Sequence, residues 1–126
     1  MKTKATMVED QQSSELIPNA PRERISESDL SAFLKHFKFL ELRSYYPNGV
    51  QAGYTLMIDP KNRIDPRFLG RLNLRVGDTL LAVNGVALTS VHALDAALDM
   101  LAHDFVIQFV FLRDGSLKVL NYEVGP

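Results

Sequence analysis

Leu72-Asn73-Leu74-Arg75-Val76-Gly77-Asp78-Thr79-Leu80-Leu81-Ala82-Val83-Asn84-Gly85-Val86 is the most informative run in the chain. Gly77 can take a positive φ and so end a tight turn. The short carboxylate of Asp78 can accept backbone N–H bonds inside that turn. Leu80, Leu81 and Val83 then form a brief apolar strand that enters a core, and Asn84-Gly85 reverses the chain. Folding alone explains every residue from Leu74 to Val86, so the run identifies a scaffold and does not by itself identify a ligand.

Working outward, Val86–Leu88 resumes as strand. Thr89 or Ser90 caps a helix in which Val91, Leu94, Leu98 and Leu101 recur on one face. Asp104–Leu112 and Leu117–Val124 read as strands joined by the Arg113-Asp114-Gly115 turn. On the other side, Asp65 and Pro66 open a short helix ending at Leu72. Gly53–Ile58 reads as a strand closed by Asp59-Pro60, and Pro47-Asn48-Gly49 as the turn before it. Leu40 and Leu42 alternate with Glu41 and Arg43, which predicts a strand there too. Order is expected to begin at Ser28, which caps a helix with Leu30, Phe33, Leu34 and Phe37 on one face. Residues 1–27 mix polar residues around an isolated Leu16–Ile17 pair, with prolines at 18 and 21, and are expected to be a flexible leader or linker before a domain over 28–126. Leu16–Ile17 within it is a candidate docking motif. Short strands interleaved with helices, without regular βαβ alternation, predict an α+β fold: a small barrel or sandwich with one long and one short helix plus an additional N-terminal helix.

The totals exclude more than they assign. A length of 126 residues suits one domain. The net charge of −1 gives no global pull toward nucleic acid or anionic membranes. The absence of cysteine removes disulfides and thiolate metal sites and suits either a reducing cytoplasm or a bacterial periplasm. No apolar run approaches the roughly 18 residues of a membrane span, and no signal peptide is visible. The chain is thus expected to be cytoplasmic or a soluble piece of a longer secreted or anchored protein. His36, His92 and His103 fit no metal-ligand spacing, no Gly-x-Ser-x-Gly elbow occurs, and the seven glycines are scattered singly rather than gathered in a phosphate loop. Neither enzyme activity nor a cofactor or metal is expected. Lys61, Arg63, Arg67, Arg71 and Arg75, with Asp65 among them, form the densest charge feature. They read as a solvated loop and helix face, or as a basic patch for an acidic partner; aromatics do not interleave with these bases in the way single-stranded nucleic-acid platforms require.

The run from Leu72 to Val86, followed by Leu88-Thr89-Ser90, the helix to Leu101 and the strand Phe105–Leu112, resembles PDZ domains over about residues 38–124. Within that family it is most similar to bacterial members, and more narrowly to the periplasmic PDZ domain of the type II secretion system inner-membrane protein C. Ile25–Phe37, Gly53-Tyr54, Asp65–Leu72, Leu88-Thr89 and Arg113-Asp114-Gly115 carry that likeness. Asp59-Pro60 stands where the Pro-Gly of that family often follows, and the family's transmembrane helix does not occur within these 126 residues, so the chain is expected to be a fragment or an unusual short relative.

The resemblance implies a peptide groove between one strand and the long helix. It places Gly53, Tyr54, Thr55, Leu56 and Ile58 on the strand side, with Ala52-Gly53-Tyr54 as the carboxylate-binding loop, and Val91, Asp95 and Leu98 on the helix side. With one glycine in that loop, internal segments remain as open as C-terminal ones. The implied role is an interaction module of a secretion assembly on the periplasmic side of an inner membrane, meeting secreted proteins or machine components. Contact with the membrane would come only through an anchor in a longer parent chain, and nucleic acid is not an expected partner. A regulatory domain of a periplasmic or membrane-embedded protease is the alternative.

Overall fold

The computed structural model describes residues 22–58, 61 and 65–125. In chain order come β1 (Arg22–Ser26), α1 (Glu27–Phe37), β2 (Glu41–Tyr45), β3 (Gly53–Met57), a 3-10 helix (Pro66–Leu72), β4 (Thr79–Val83), β5 (Val86–Ala87), α2 (Val91–Leu101), β6 (Val106–Arg113) and β7 (Ser116–Gly125). The strands form a mixed sheet in the order β1-β7-β6-β4-β3-β2, with β5 paired to β4. The α+β architecture expected from the sequence is present, although the N-terminal helix is as long as α2.

The ordered structure starts earlier than Ser28. Arg22–Ser26 lies parallel to β7, from Arg22 opposite Asn121 to Ser26 opposite Gly125, and Ile25 is buried. Ser26, not Ser28, caps α1: its side chain accepts a hydrogen bond from the Asp29 N–H. Arg-Glu-Arg-Ile-Ser leaves too little pattern to reveal a strand, because it offers a single apolar residue, Ile25, and so no alternation. The leader up to residue 21, Leu16–Ile17 included, lies outside the described residues.

Helix α1 buries Leu30, Phe33 and Phe37, an i, i+3, i+7 stripe. Phe33 sits fully inside, with the rings of Phe37, Phe68 and Phe109 5.3, 5.6 and 6.4 Å away. Helix α2 begins at Ser90, whose hydroxyl accepts from the Ala93 N–H, and buries Leu94, Ala97 and Leu101. The 3-10 helix is capped by Asp65 with Pro66 in its first turn, as the sequence predicts, and ends at Asn73 in the left-handed region.

The turn at Gly77-Asp78 ties these parts together. Gly77 has φ +98°, and Asp78 accepts from the Arg75 N–H at 2.8 Å. Asp78 is 2% exposed and is held by Arg113: Nε donates to Oδ1 at 2.9 Å and Nη2 to Oδ2 at 2.7 Å. That bidentate hydrogen bond holds the Arg113 guanidinium pKa above its ordinary value. Leu80 and Val83 are buried, while Leu81 is half-buried where the β4–β6 register shifts. Asn84 takes φ +49° in its turn and locks it to β6, donating to Asp104 and Val106 O and accepting from the Gln108 N–H.

Candidate functional site

An exposed strand edge is the feature through which such a sheet can capture an extended chain, so the order of strands decides where a site can be. Strand β3 is interior. On one side it pairs with β2, from Tyr45 opposite Gly53 to Glu41 opposite Met57. On the other, Tyr54 and Thr55 lie opposite Leu80 and Thr79, the Leu56 N–H donates to Asp78 O, and the Gly77 N–H donates to Leu56 O. Gly53–Ile58 is therefore not the groove strand expected from the sequence. Periodicity identifies a strand but is silent on its neighbours.

The residues assigned to that strand have other work. A Cβ at Gly53 would meet Leu80 O at 2.2 Å, so this glycine permits close approach of β3 to β4 rather than forming a carboxylate loop. Tyr54 and Leu56 are core residues. The Thr55 hydroxyl hydrogen-bonds that of Thr79 at 2.7 Å. Ile58 follows the strand with an exposed side chain.

Among the described residues, the strand with an open edge at this end of the sheet is β2. Glu41 and Arg43 are exposed, Ser44 and Tyr45 half-buried, and Leu42 packs partly against the core. Strand β2 leaves α1 abruptly: the Phe39 N–H donates to His36 O at 3.1 Å and the Leu40 N–H to Phe37 O at 3.0 Å, closing the helix end. At its far end, the Ala52 N–H donates to Tyr45 O, and the neighbouring Gln51 donates to Leu88 O at 3.3 Å, in the connection that leads from β5 into α2. The Tyr45 end of β2 is thereby fastened near the N-terminus of α2. On that helix Val91 is 63% exposed, Asp95 is exposed, and Leu98 is half-buried against the core. The three helix residues expected from the sequence thus share one flank of α2, next to its buried face. The sequence signal for β2, alternation from Leu40 to Arg43, was present but gave no reason to prefer it as the edge.

The basic stretch is partly neutralised. Arg67 pairs with Asp65 at 2.6 Å and Arg71 with Asp29, both at the surface. The Arg67 hydrogen bonds hold the Asp65 carboxyl below its ordinary pKa. Lys61 and Arg75 are exposed, and Arg63 lies outside the described residues. His36 Nδ1 lies 2.7 Å from Ala32 O, a local helix contact. Among the described residues no group of three or more His, Asp or Glu could hold a metal ion, and no helix is long and apolar enough to cross a membrane. Two concavities flank exposed Phe105: one of about 260 Å³ is bounded by Leu30, Leu34, His103 and Val124, the other by Asn84, Met100 and Val106. Neither coincides with the β2 edge.

No family model matches the sequence. No curated protein matches it either. Solved structures do. A PDZ domain of EpsC from Vibrio cholerae superposes with a TM-score of 0.52 at 18% identity, covering 77% of this chain and 96% of that one. The PDZ domain of the pullulanase C protein of the type II secretion system from Klebsiella pneumoniae, solved in complex with a fatty acid, gives a TM-score of 0.45 at 22% identity, covering 67% and 82%. Nearly the whole EpsC domain finds its counterpart in this chain. The chain has the fold of a PDZ domain.

Proposed function

We propose that this domain is a non-catalytic binding module that takes an extended protein segment as an added strand between β2 and α2. The observation that carries the reading is the position of β2 at the end of the sheet, with its outer backbone groups unpaired among the described residues. In an antiparallel sheet alternate N–H and C=O groups of such a strand point away from its one neighbour and remain available to a guest chain. Main-chain bonds to Glu41–Tyr45 supply affinity, and side chains on α2 supply choice. Leu42 and Leu98 offer apolar surface to the guest. Val91 favours an apolar residue near the Tyr45 end, and Asp95 favours a basic or hydroxyl-bearing one. The area is small and the edge short, so affinity is expected on the order of 10⁻⁵ M.

The sequence resemblance to the secretion-system inner-membrane protein C supports a place for this module in a secretion assembly. On that reading it faces the periplasm and meets secreted proteins or other components of the machine. Titrating isotope-labelled domain with secreted proteins of the same organism, at low and high salt, tests both the surface and the partner class. Backbone amide shifts along Glu41–Tyr45, with side-chain shifts from Val91 to Leu98, are expected at both salt concentrations. Shifts confined to the basic stretch from Lys61 to Arg75 and abolished by salt would overturn the groove in favour of an electrostatic surface.

A further inference from the structure

We infer that the groove accepts an internal segment of its partner, one whose chain runs on past Glu41, rather than a C-terminus. This rests on the groove reading above and adds which part of a partner can occupy it. A segment adding antiparallel to β2 runs toward the Glu41 end, so a terminal carboxylate would lie against the backbone that precedes β2. Binding a carboxylate there calls for several converging N–H groups, which a chain presents when right- and left-handed residues alternate or a turn opens toward the anion.

The segment from His36 to Glu41 offers no such cradle. It contains no glycine, and none of its residues has positive φ. The amides of Phe39 and Leu40, which would be the donors, are already given to His36 O and Phe37 O. Freeing them would undo the last turn of α1, whose Phe37 is 3% exposed and followed by buried Leu40. Glu41 places an exposed negative charge at this same end, which repels a carboxylate. Lys38 is the nearby cation, and its ammonium lies 5.3 Å over the Phe39 ring. An exposed lysine supplies a screened point charge and not the converging amides of a terminal-carboxylate site. A continuing chain needs none of these groups. It meets exposed Phe39 beyond the strand edge, where a further side chain can pack.

Two displayed libraries of random ten-residue segments test this, one ending in a free carboxylate and the other held between flexible flanks. The tightest segment from each is then synthesised as the acid and as the C-terminal amide and titrated against the labelled domain. Expected are binders from the flanked library that shift the Glu41–Tyr45 amides, with acid and amide affinities equal within twofold. Lys38→Ala should leave those affinities unchanged within twofold. Binders arising only from the free-carboxylate library, with the amide tenfold or more weaker, would overturn the inference while keeping the groove. So would a tenfold loss for the acid alone in Lys38→Ala. Segments from both libraries that leave the β2 and α2 signals unmoved would overturn the groove reading itself, and this inference with it.

Discussion

Gly53 and Tyr122 each answer to a neighbour that is remote in sequence. At Gly53 the constraint is the backbone of β4, since a Cβ would lie 2.2 Å from Leu80 O and backbone cannot swing aside. Gly53→Ala is expected to cost about 2 kcal/mol or more through forced separation of β3 from β4. Gly70→Ala is the matched control: a Cβ there meets nothing within 4 Å, φ is not positive, and stability should stay level or rise by about 0.4–1 kcal/mol. Denaturant unfolding of the two variants reads the difference, and equal stabilities would remove the close approach as the reason for Gly53. Tyr122 is 2% exposed; its hydroxyl donates to Leu72 O at 2.7 Å and accepts from Asn73 Nδ2. Burial pushes the phenol up to about 12. In the unfolded chain it ionises near 10, so above that pH the unfolded state gives up a proton that the folded state retains. The stability held by the neutral phenol is complete below about pH 10 and is lost as pH rises toward 12, by about 2–3 kcal/mol. Unfolding measured at pH 8, 10 and 11 should show this decline, and Tyr122→Phe should flatten it.

At the level of elements, β1 and α2 show what could be read in advance and what could not. Helix α2 was legible because everything that specifies it is local: the Ser90 cap and an apolar stripe at helical spacing. Its flank also permits a clean probe, since Asp95 is exposed and Asp95→Lys should reverse the preference for basic segments while leaving the melting temperature within about 2 °C. Unchanged selectivity would remove Asp95 from the groove. Strand β1 was illegible because its partner lies at the other end of the chain; the Arg24–Glu123 contact spans 99 residues. The same holds for the edge strand, because alternation locates β2 and β3 alike but does not say which of them β4 will pair with. Truncation before Arg22 is expected to leave the melting temperature within a few degrees. Truncation before Glu27 removes the burial of Ile25, about 1.5–3 kcal/mol, and the Ser26 cap, about 1 kcal/mol, and should lower it by about 10 °C or more. Equal melting temperatures would mean that β1 adds nothing to the fold.

Over the whole molecule, the scaffold was more legible than the surface. The run Leu72–Val86 is a local device repeated in order with its neighbours, so a sequence can carry it whole. Surface charge is different, for Arg71 is answered by Asp29, 42 residues away, and only the folded chain brings them together. The parallel pairing of β1 with β7 has a mechanical side as well. Five residues of β1 lie beside Asn121–Gly125 with Arg22 at one end of the ladder and Gly125 at the other. Tension entering at Arg22 and leaving at Gly125 pulls the two strands lengthwise past each other, loading all their rungs at once. Attachment at Val106 and Glu123, which face each other across β6 and β7, would instead peel that pair from one end, rung by rung. Single-molecule pulling should give a clearly higher rupture force in the first geometry, whose rate-limiting barrier is the rupture of a whole ladder. Equal forces would show that the terminal strands bear no load. A domain linked through both of these strands would meet traction in shear.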